Sequence, residues 1–240
     1  TEAAKTAETT AAAEGAAITG TDMSGRESTL DAPAEKVVAV AAADGEISYA
    51  SGAGDALVGR GEYGDWPAEV LEVPSVESGY ETNIEQVIAL APQVVFMSKM
   101  AQTVEQIAAL EEAGIKVVVS DALDIEDTYY AIDMIGTLMG KEDNAAAVIE
   151  SMKETFAAVS ADSEKLEGTV YFEVSPLQYG LWAAGKGTFM DEIATMMGLT
   201  NIFSDVEGWG EVSEEQIIER NPDYIVTITM YFGEGPTPEE

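Results

Sequence analysis

The sequence predicts an α/β protein built from two similar lobes, and three features of the chain lead to this prediction. Short apolar runs alternate with helical segments, which is typical of a parallel sheet covered by helices. One long helical stretch, at residues 139–165, interrupts the alternation. One motif occurs twice, once on each side of that stretch. We therefore expect two α/β lobes, each with a central parallel sheet, joined by one long helix.

The elements of the first lobe follow from the period of its apolar residues. Strands are predicted at "KVVAVAA" (36–42), "ALVGR" (56–60), "QVVFM" (93–97) and "IKVVVS" (115–120). Helices are predicted from Glu46 to the Gly52/Gly54 pair, at "NIEQVIALAP" (83–92) and at "TVEQIAALEEAG" (103–114). The connections are short, as in a parallel α/β sheet.

After Asp124 the pattern becomes helical as far as about Lys165, with a break expected near Gly136 and Gly140. A helix of ~22 residues would be ~33 Å long, which is the width of a small domain. The alternation then resumes with a strand at "GTVYFEV" (168–174), helices at 188–198 and 213–220, and a strand at "DYIVTIT" (223–229).

The first 31 residues look different from the rest of the chain. Residues 1–28 consist mainly of Ala, Thr, Glu and Gly with almost no large apolar side chains. Such a segment cannot bury enough surface to become ordered, so we expect a flexible tether over residues 1–31. A helix rich in Ala and Glu is the alternative.

The repeated motif reads "IEQVIALAPQVVF" at 84–96 and "EEQIIERNPDYIV" at 214–226, an offset of 130 residues. Asn83 and Ser213 precede the two helices, and a glutamine follows each of them three positions later, which predicts a capping box in both copies. Each helix should then stop at a proline and lead into a strand. Chance similarity between two helix–proline–strand units is the alternative to a true repeat.

Composition excludes several classes of function. The chain has 11 Lys and Arg against 45 Asp and Glu, a net charge of −34. This surface would repel nucleic-acid phosphates and anionic membranes. The sequence contains no cysteine and no histidine, which removes cysteine nucleophiles, Ser-His-Asp triads and the usual zinc sites. We expect no metal site and no catalytic residues.

Candidate ligand-binding residues lie in the loops that should follow the strands, where ligands gather in α/β sheets. Six aromatic residues in these glycine-rich loops are suited to hold a flat or apolar ligand: Tyr63, Trp66, Tyr80, Tyr179, Trp182 and Trp209. Lys99, Arg60 and Lys186 lie in or beside the same loops, and we include Lys99 as a candidate for an anionic group of the ligand. Packing of the aromatics and solvation of the lysines are the alternatives.

One segment favours a different function. "GLWAAGKGT" (180–188) nearly matches the phosphate-binding loop GxxxxGK[ST], with Gly187 at the Ser/Thr position. A nucleotide-binding protein or NTPase that uses this loop is the second hypothesis.

The chain resembles the substrate-binding proteins of ABC importers for cobalamin, haem and ferric siderophores, over roughly residues 33–232. The resemblance rests on the order and spacing of five stretches: "KVVAVAAADGEISYASGAGDALVGRGEYGDWPAE", "NIEQVIALAPQVV", "LEEAGIKVVV", "GKGTFMDEIATMMGLTNIF" and "EVSEEQIIERNPDYIV". The opening stretch departs from the family, because "AAADGE" stands where Pro and Thr usually precede the glutamate.

The resemblance implies two Rossmann-like lobes, residues 32–138 and 166–240, on either side of a backbone helix at 139–165, with the ligand in a cleft between the lobes. The second lobe should lack its end, because family members continue further. Tyr63 and Trp209 match aromatic positions of the family pocket, and Tyr80 only approximately matches a third. Glu85 and Glu215 match the glutamates that pair with arginines of the membrane permease.

The resemblance also implies a function. We expect an extracytoplasmic solute-binding component, periplasmic or a cell-surface lipoprotein, that delivers an iron complex or tetrapyrrole to an ABC permease dimer. It should be no enzyme and should carry no cofactor of its own, although its ligand can contain iron or cobalt. Contact with the membrane should occur only through an N-terminal lipid anchor or tether. The few cations favour a neutral or weakly charged ligand.

Overall fold

The computed structural model describes residues 17–78, 81–99, 103–162, 166–175 and 179–227. The chain forms two compact units. Unit 1 comprises residues 1–120 and 134–144, and unit 2 comprises residues 121–133 and 145–240. The lobe boundaries expected from the sequence stay a prediction, and the two units are described separately below.

Unit 1 begins with a hairpin that the sequence did not predict. Strands β1 (Ile18–Thr21) and β2 (Glu27–Leu30) pair antiparallel. The carboxylate of Asp22 stabilises the turn, since it accepts hydrogen bonds from the backbone N–H groups of Ser24 and Arg26 at 2.9 and 2.8 Å. The expected tether is therefore wrong for the residues that form the hairpin, because polar turn contacts order a segment with few apolar side chains. Residues 1–16 lie outside the described residues.

The central sheet of unit 1 is parallel throughout. It contains β3 (Val37–Ala39), β4 (Leu57–Gly61), β5 (Ser75–Val76), β6 (Val94–Met97) and β7 (Lys116–Val119), in the spatial order β5-β4-β3-β6-β7. Its helices are α1 (Ala42–Ala50), α2 (Ile84–Ala89) and α3 (Val104–Glu112), with 3-10 turns at Gly54–Ala56 and Ala68–Glu72. This confirms the alternating strands and helices that the sequence predicts.

Helix α1 begins four residues before the predicted start at Glu46. No side chain caps it, and its N-cap residue is Ala41. The sequence therefore offered no start signal of the usual kind. Apolar residues on both faces of the sheet form two clusters, one around Phe96 and Ile135 and the other around Val95 and Leu110.

Two helices account for the long helical stretch. These are α4 (Ile125–Leu138) and α5 (Glu142–Asp162), which has 21 residues. The break falls at Gly140, which has a φ of +65°. Because glycine adopts this left-handed conformation without a steric penalty, Gly140 ends α4 as predicted.

Unit 2 has a mixed sheet built around one long strand. It contains β8 (Thr169–Ser175), β9 (Trp182–Ala184), β10 (Thr200–Asn201), β11 (Trp209–Glu211) and β12 (Tyr224–Thr227), with helices α6 (Phe189–Met196) and α7 (Glu214–Arg220). β12 pairs with β8 in parallel, as predicted, and so does β10, which the sequence did not predict. β9 pairs with β8 antiparallel, and β11 pairs with β9 antiparallel. The sequence did not predict these two short antiparallel strands.

The repeated motif has the same backbone geometry in both units. Ala91 and Asn221, which precede the two prolines, are the two non-glycine residues with positive φ in the described part of the chain, at 49° and 45°. In the position after each proline, Gln93 and Asp223 each use a side-chain oxygen to accept a backbone N–H at the start of a neighbouring strand. These shared details favour a structural repeat over chance similarity.

The two predicted capping boxes differ. Ser213 and Gln216 form a complete box, since each side chain accepts the backbone N–H of the other residue, at 3.3 and 2.9 Å. Asn83 accepts the N–H of Gln86 at 3.1 Å, but the Gln86 side chain accepts the N–H of Glu77 instead. The second half of the predicted box at Asn83 is therefore wrong, because the Asn83 N–H already donates to the Glu77 carbonyl.

Candidate functional site

Three of the predicted ligand-binding residues lie at one edge of unit 1. Tyr63 and Trp66 follow β4, and Lys99 follows β6. Because the strands are parallel, their carboxyl ends meet at the same edge of the sheet. Tyr63, Trp66 and Lys99 are all exposed, with 57% of Tyr63 and 66% of Trp66 accessible. The predicted residue Tyr80 lies outside the described residues.

The loop that carries these aromatics is held by its neighbour. The N–H of Glu62 donates to the Ser78 hydroxyl at 3.0 Å, and the N–H of Ser78 donates to a Glu62 carboxylate oxygen at 2.9 Å. Gly61 allows a close approach, since a Cβ there would lie 2.0 Å from the Val40 carbonyl oxygen. The start of the loop is therefore fixed by reciprocal bonds while its aromatic side chains face solvent.

Two acids lie near this edge of unit 1. Partial burial raises the pKa of the Glu46 carboxyl, and the nearby charge of Asp65 raises it further. Asp65 is itself the neighbour of Trp66 in the chain. An anionic group placed here would meet like charges, so the edge suits a ligand of low negative charge.

Two predicted tryptophans come together in unit 2. Trp182 on β9 is opposite Glu211, and Trp209 on β11 is opposite Ala184. Directly opposed residues share a face, and so do residues two apart in a strand, so both indoles lie on one face of the β9–β11 pair. Trp182 is 39% and Trp209 40% exposed. Tyr179, also predicted, is exposed and lies shortly before β9.

Phe189 extends this aromatic face, and the sequence did not predict it. Its ring meets that of Trp209 edge to face, with the ring centroids 6.2 Å apart, and it is partly exposed. Phe189 is the first residue of α6, directly after its cap Thr188. An aromatic residue at the first position of a helix that follows a glycine-rich loop was the available signal. We call Trp182, Phe189 and Trp209 the aromatic face.

Backbone contacts position Trp209 against α6. Gly185 donates its N–H to the Gly208 carbonyl at 2.8 Å, and Gly208 donates in return to the Lys186 carbonyl at 2.8 Å. Lys186 also donates its N–H to the Val206 carbonyl at 2.7 Å. The two loops that precede α6 and β11 are thus joined along their length, and they present the aromatic face as one surface.

The same contacts argue against the predicted phosphate loop. Residues 182–184 of "GLWAAGKGT" form β9, which is paired on both sides, with β8 and β11. A phosphate loop needs its backbone N–H groups free to surround the phosphates. The side chain of Lys186 lies 3.4 Å from a Glu207 carboxylate oxygen. The nucleotide hypothesis fails for these reasons.

The two predicted docking glutamates occupy equivalent places. Glu85 is in the first turn of α2 and Glu215 in the first turn of α7, and both are exposed. Hydrogen bonds from its own backbone and from Ser213 lower the pKa of the Glu215 carboxyl. Glu215 is therefore ionised at neutral pH and available for a cationic partner.

A buried carboxylate near the sheet edge of unit 1 was also missed. Asp44 lies in the first turn of α1 and is only 1% exposed. Burial raises its pKa to about 7, while the nearby Ser120 hydroxyl opposes this weakly. Within the described ranges neither carboxylate oxygen has a hydrogen-bond partner at normal distance. No periodic signal marks this residue, because an acid in the first turn of a helix is usually exposed.

Two further features are absent from the described residues. They contain no group of three or more His, Cys, Asp or Glu side chains placed to hold a metal ion. None of their helices combines the length and the apolar character needed to cross a membrane.

The chain matches a family model described as periplasmic binding protein over residues 37–239. It belongs to this family. An uncharacterized ABC transporter substrate-binding lipoprotein from Bacillus subtilis is 35% identical over 220 residues, which are 88% of this chain and 68% of that protein. A vitamin B12-binding protein from Salmonella typhimurium is 28% identical over 198 residues, 80% of this chain and 72% of that protein.

The solved structures agree in fold. A protein of an ABC-type Fe3+-hydroxamate transport system from Saccharomonospora viridis superimposes with a TM-score of 0.71 and 26% identity, covering 88% of this chain and 79% of the other. The chain described here is thus an extracytoplasmic solute-binding component of an ABC importer, as its sequence predicts. The family consists of binding proteins, which agrees with the absence of a recognisable catalytic group in the sequence.

Proposed function

We propose that this periplasmic binding protein captures a neutral or weakly charged metal complex, either a corrinoid or a ferric hydroxamate chelate, and delivers it without turnover. The observation that carries the proposal is the aromatic face of unit 2, which presents three partly exposed rings with Glu211 on the same face of the strands. Aromatic rings bind apolar or flat ligand surfaces, whereas acids disfavour polyanions. The vitamin B12-binding relative and the relative from an Fe3+-hydroxamate transport system support the same class.

The proposed ligand-binding set also includes Tyr63, Trp66, Tyr179 and Lys99. The tyrosines and Trp66 supply further exposed aromatic surface, and Lys99 supplies one of the 11 basic side chains of the chain. With so few cations, a ligand that carries several carboxylates would find little compensation for its charge. Haem, with its two propionates, and citrate-type siderophores are therefore disfavoured.

The test is a calorimetric titration of the purified chain with cyanocobalamin, ferrichrome, hemin and ferric citrate. We expect binding of one of the first two and little binding of the last two. Trp209→Ala should weaken the binding about tenfold or more, since a buried aromatic contact is typically worth that much. Tyr224→Ala removes an equally exposed ring outside the aromatic face and serves as the matched control. Tight binding of hemin or ferric citrate would contradict the charge argument.

Docking is the second part of the proposal. Glu85 and Glu215 should each pair with a basic residue of the permease, because both are exposed acids at equivalent positions of the two units. The double variant Glu85→Ala, Glu215→Ala should impair transport while ligand affinity stays unchanged. Loss of ligand affinity would instead assign these glutamates to the ligand site.

We also propose that the segment before residue 17, rich in Ala, Thr and Glu, spaces the folded units from a membrane anchor. The lipoprotein name of the Bacillus relative supports this part. Fractionation of cells that produce the full-length protein, with and without detergent, tests it. Release of the protein from cells without detergent would contradict it.

A further inference from the structure

Each copy of the repeated motif leaves one isoleucine on the outside of the protein. Val87 is fully buried and Ile217 is partly buried, so these residues supply the contact between helix and core. The residues that follow them, Ile88 and Ile218, are 37% and 75% exposed. A short surface helix needs only one apolar stripe to pack. Among the residues that the structure describes, the second isoleucine is therefore not needed to pack the core.

Both exposed isoleucines lie beside a docking glutamate. Ile88 comes three residues after Glu85, and Ile218 comes three residues after Glu215. Residues three apart are neighbours on a helix surface. Each unit thus presents a carboxylate and a branched apolar side chain next to each other, in the same order along the helix.

Exposure of an apolar side chain does not by itself indicate a function, since single exposed residues are normal on protein surfaces. Val104 in α3, for example, is 79% exposed beside the first-turn Glu105, although α3 is not part of the 130-residue repeat. In both units, however, an exposed isoleucine follows an exposed glutamate by three residues, at the 130-residue offset of the repeat. A chance exposure would not recur at the equivalent place.

We infer that each glutamate–isoleucine pair is one docking element, and that the permease offers, at two equivalent sites, a cationic side chain beside an apolar recess. This inference rests on the proposed docking function. An exposed ion pair contributes little to affinity, so a glutamate alone would mainly set orientation. An isoleucine buried in a recess supplies affinity through the hydrophobic effect. Two equivalent elements on one chain match a partner with two equal halves.

The two contributions should respond differently to salt. Salt screens exposed charges, whereas it does not weaken the burial of apolar surface. The chain carries a net charge of −34, so attraction to a basic partner should fall as salt is added. The contribution of the isoleucines should remain at high salt, which separates it from that of the glutamates.

Photo-crosslinking in cells that produce the protein captures whichever partner lies against this surface. A photoreactive phenylalanine is placed at position 88 or 218, at position 85 or 215, and at position 104 as the control. We expect crosslinks to the integral membrane subunit of an ABC importer from the first two pairs of positions and none from position 104. Crosslinks from positions 85 and 215 alone would overturn the role of the isoleucines but leave the proposed docking function in place. Crosslinks to a second copy of this chain, or none at all, would overturn both.

The permease that crosslinking identifies is then purified in detergent, and the affinity of each variant for it is measured. The double variant Ile88→Ser, Ile218→Ser should bind about tenfold more weakly or worse, at low and at high salt alike. Val104→Ser, which changes a residue about as exposed as Ile218, should bind normally. Titrations with cyanocobalamin or ferrichrome should be unchanged in both variants. Normal permease binding by the isoleucine variant, with weakened binding by the glutamate variant, would overturn the inference while leaving the docking function in place.

Discussion

The helix–strand pairs α2–β6 and α7–β12 share a sequence motif and a backbone geometry, but their strands differ completely in burial. All four residues of β6 are fully buried, whereas all four residues of β12 are exposed, including 59% of Ile225. In both pairs the residue before the proline has a left-handed conformation, and the residue after it binds the start of a neighbouring strand. Local sequence therefore determines the turn and the pairing, but not the environment of the strand.

Neighbouring elements explain the difference. β6 lies between β3 and β7, with apolar clusters on both sides of the sheet. Within the described residues, β12 pairs with β8 alone. Parallel strands are normally covered on both faces, so β12 has apolar side chains suited to a position that the described part of unit 2 does not create.

The surface beside β12 is open in the part of the chain that the structure describes. Ile225 and Ile218 border an open pocket of about 390 Å³ whose floor includes Tyr171. The Tyr171 hydroxyl is buried and has no hydrogen-bond partner among the described residues. Burial, and to a lesser extent the charge of Glu173, raises its pKa to about 12. Buried polar groups without a partner are uncommon in folded proteins.

The largest expected effect tests burial directly, by comparing equivalent positions of the two strands. Phe96→Ala should lower the free energy of unfolding by ~3–5 kcal/mol, because it leaves a cavity in the core of unit 1. Val226→Ala, at the equivalent position of β12, should change it by less than ~0.5 kcal/mol. Urea unfolding followed by hydrogen exchange of each unit measures both.

If Phe96→Ala and Val226→Ala lower the free energy of unfolding equally, the contrast in burial between β6 and β12 is wrong. Such a result would mean that β12 is covered in solution by a segment or partner, and that its exposure does not describe the working protein. Phe203→Ala, in the core of unit 2, is the control that shows unit 2 responds normally to loss of a buried ring.

The next effect concerns charge in the two cores. The two buried carboxylates of the described residues, Asp22 and Asp44, are both in unit 1. The pKa of Asp44 is about 7 in the folded protein against an ordinary 3.8, so folding favours its protonated form. Unit 1 should lose stability as the pH rises from about 4 to above 7, by at most roughly 4 kcal/mol.

The variant Asp44→Asn removes this dependence. It should be more stable than the wild type at pH 8 and about equal at pH 4, as measured by urea unfolding at both values. Unit 2 should show the same exchange protection in both proteins. If the free energy of unfolding changes between pH 4 and pH 8 by the same amount in the wild type and in the variant, Asp44 is not the cause.

The smallest effect concerns the caps, where each motif uses the side chain of its cap residue to accept one helix N–H. Asn83→Ala and Ser213→Ala should each cost ~1 kcal/mol, since each removes the acceptor of one helix N–H. Equal costs would show that the cap acts independently of how deeply the following strand is buried. A much larger cost in unit 1 would couple the cap to its core. Thermal unfolding of the two variants decides this.

Much of the fold could be predicted because it depends on short-range patterns. Apolar runs located β6 and β8, and cap residues located α2 and α7. The hairpin β1–β2 could not be found in this way, since its turn depends on one carboxylate, Asp22, and not on an apolar period. β9 and β11 were missed because strands of three residues carry almost no periodic signal.

The candidate site was predicted in part for a similar reason. Aromatics in loops identified Trp182 and Trp209, but only the pairing of β9 with β11 shows that they share a face. Phe189 joins them through the packing of α6, which no local pattern encodes. The buried position of Asp44 likewise depends on elements distant in the chain.

The turn of the amino-terminal hairpin has a mechanical consequence. Val119, the last residue of β7, donates its N–H to the Asp22 carboxylate at 3.1 Å, and its carbonyl accepts the N–H of Met23 at 3.0 Å. A force that pulls on the chain before residue 17 would thus be transmitted to β7, the edge strand of the central sheet, through these two hydrogen bonds. If the protein is held at a membrane by its amino-terminal end, tension on that end acts first on β7.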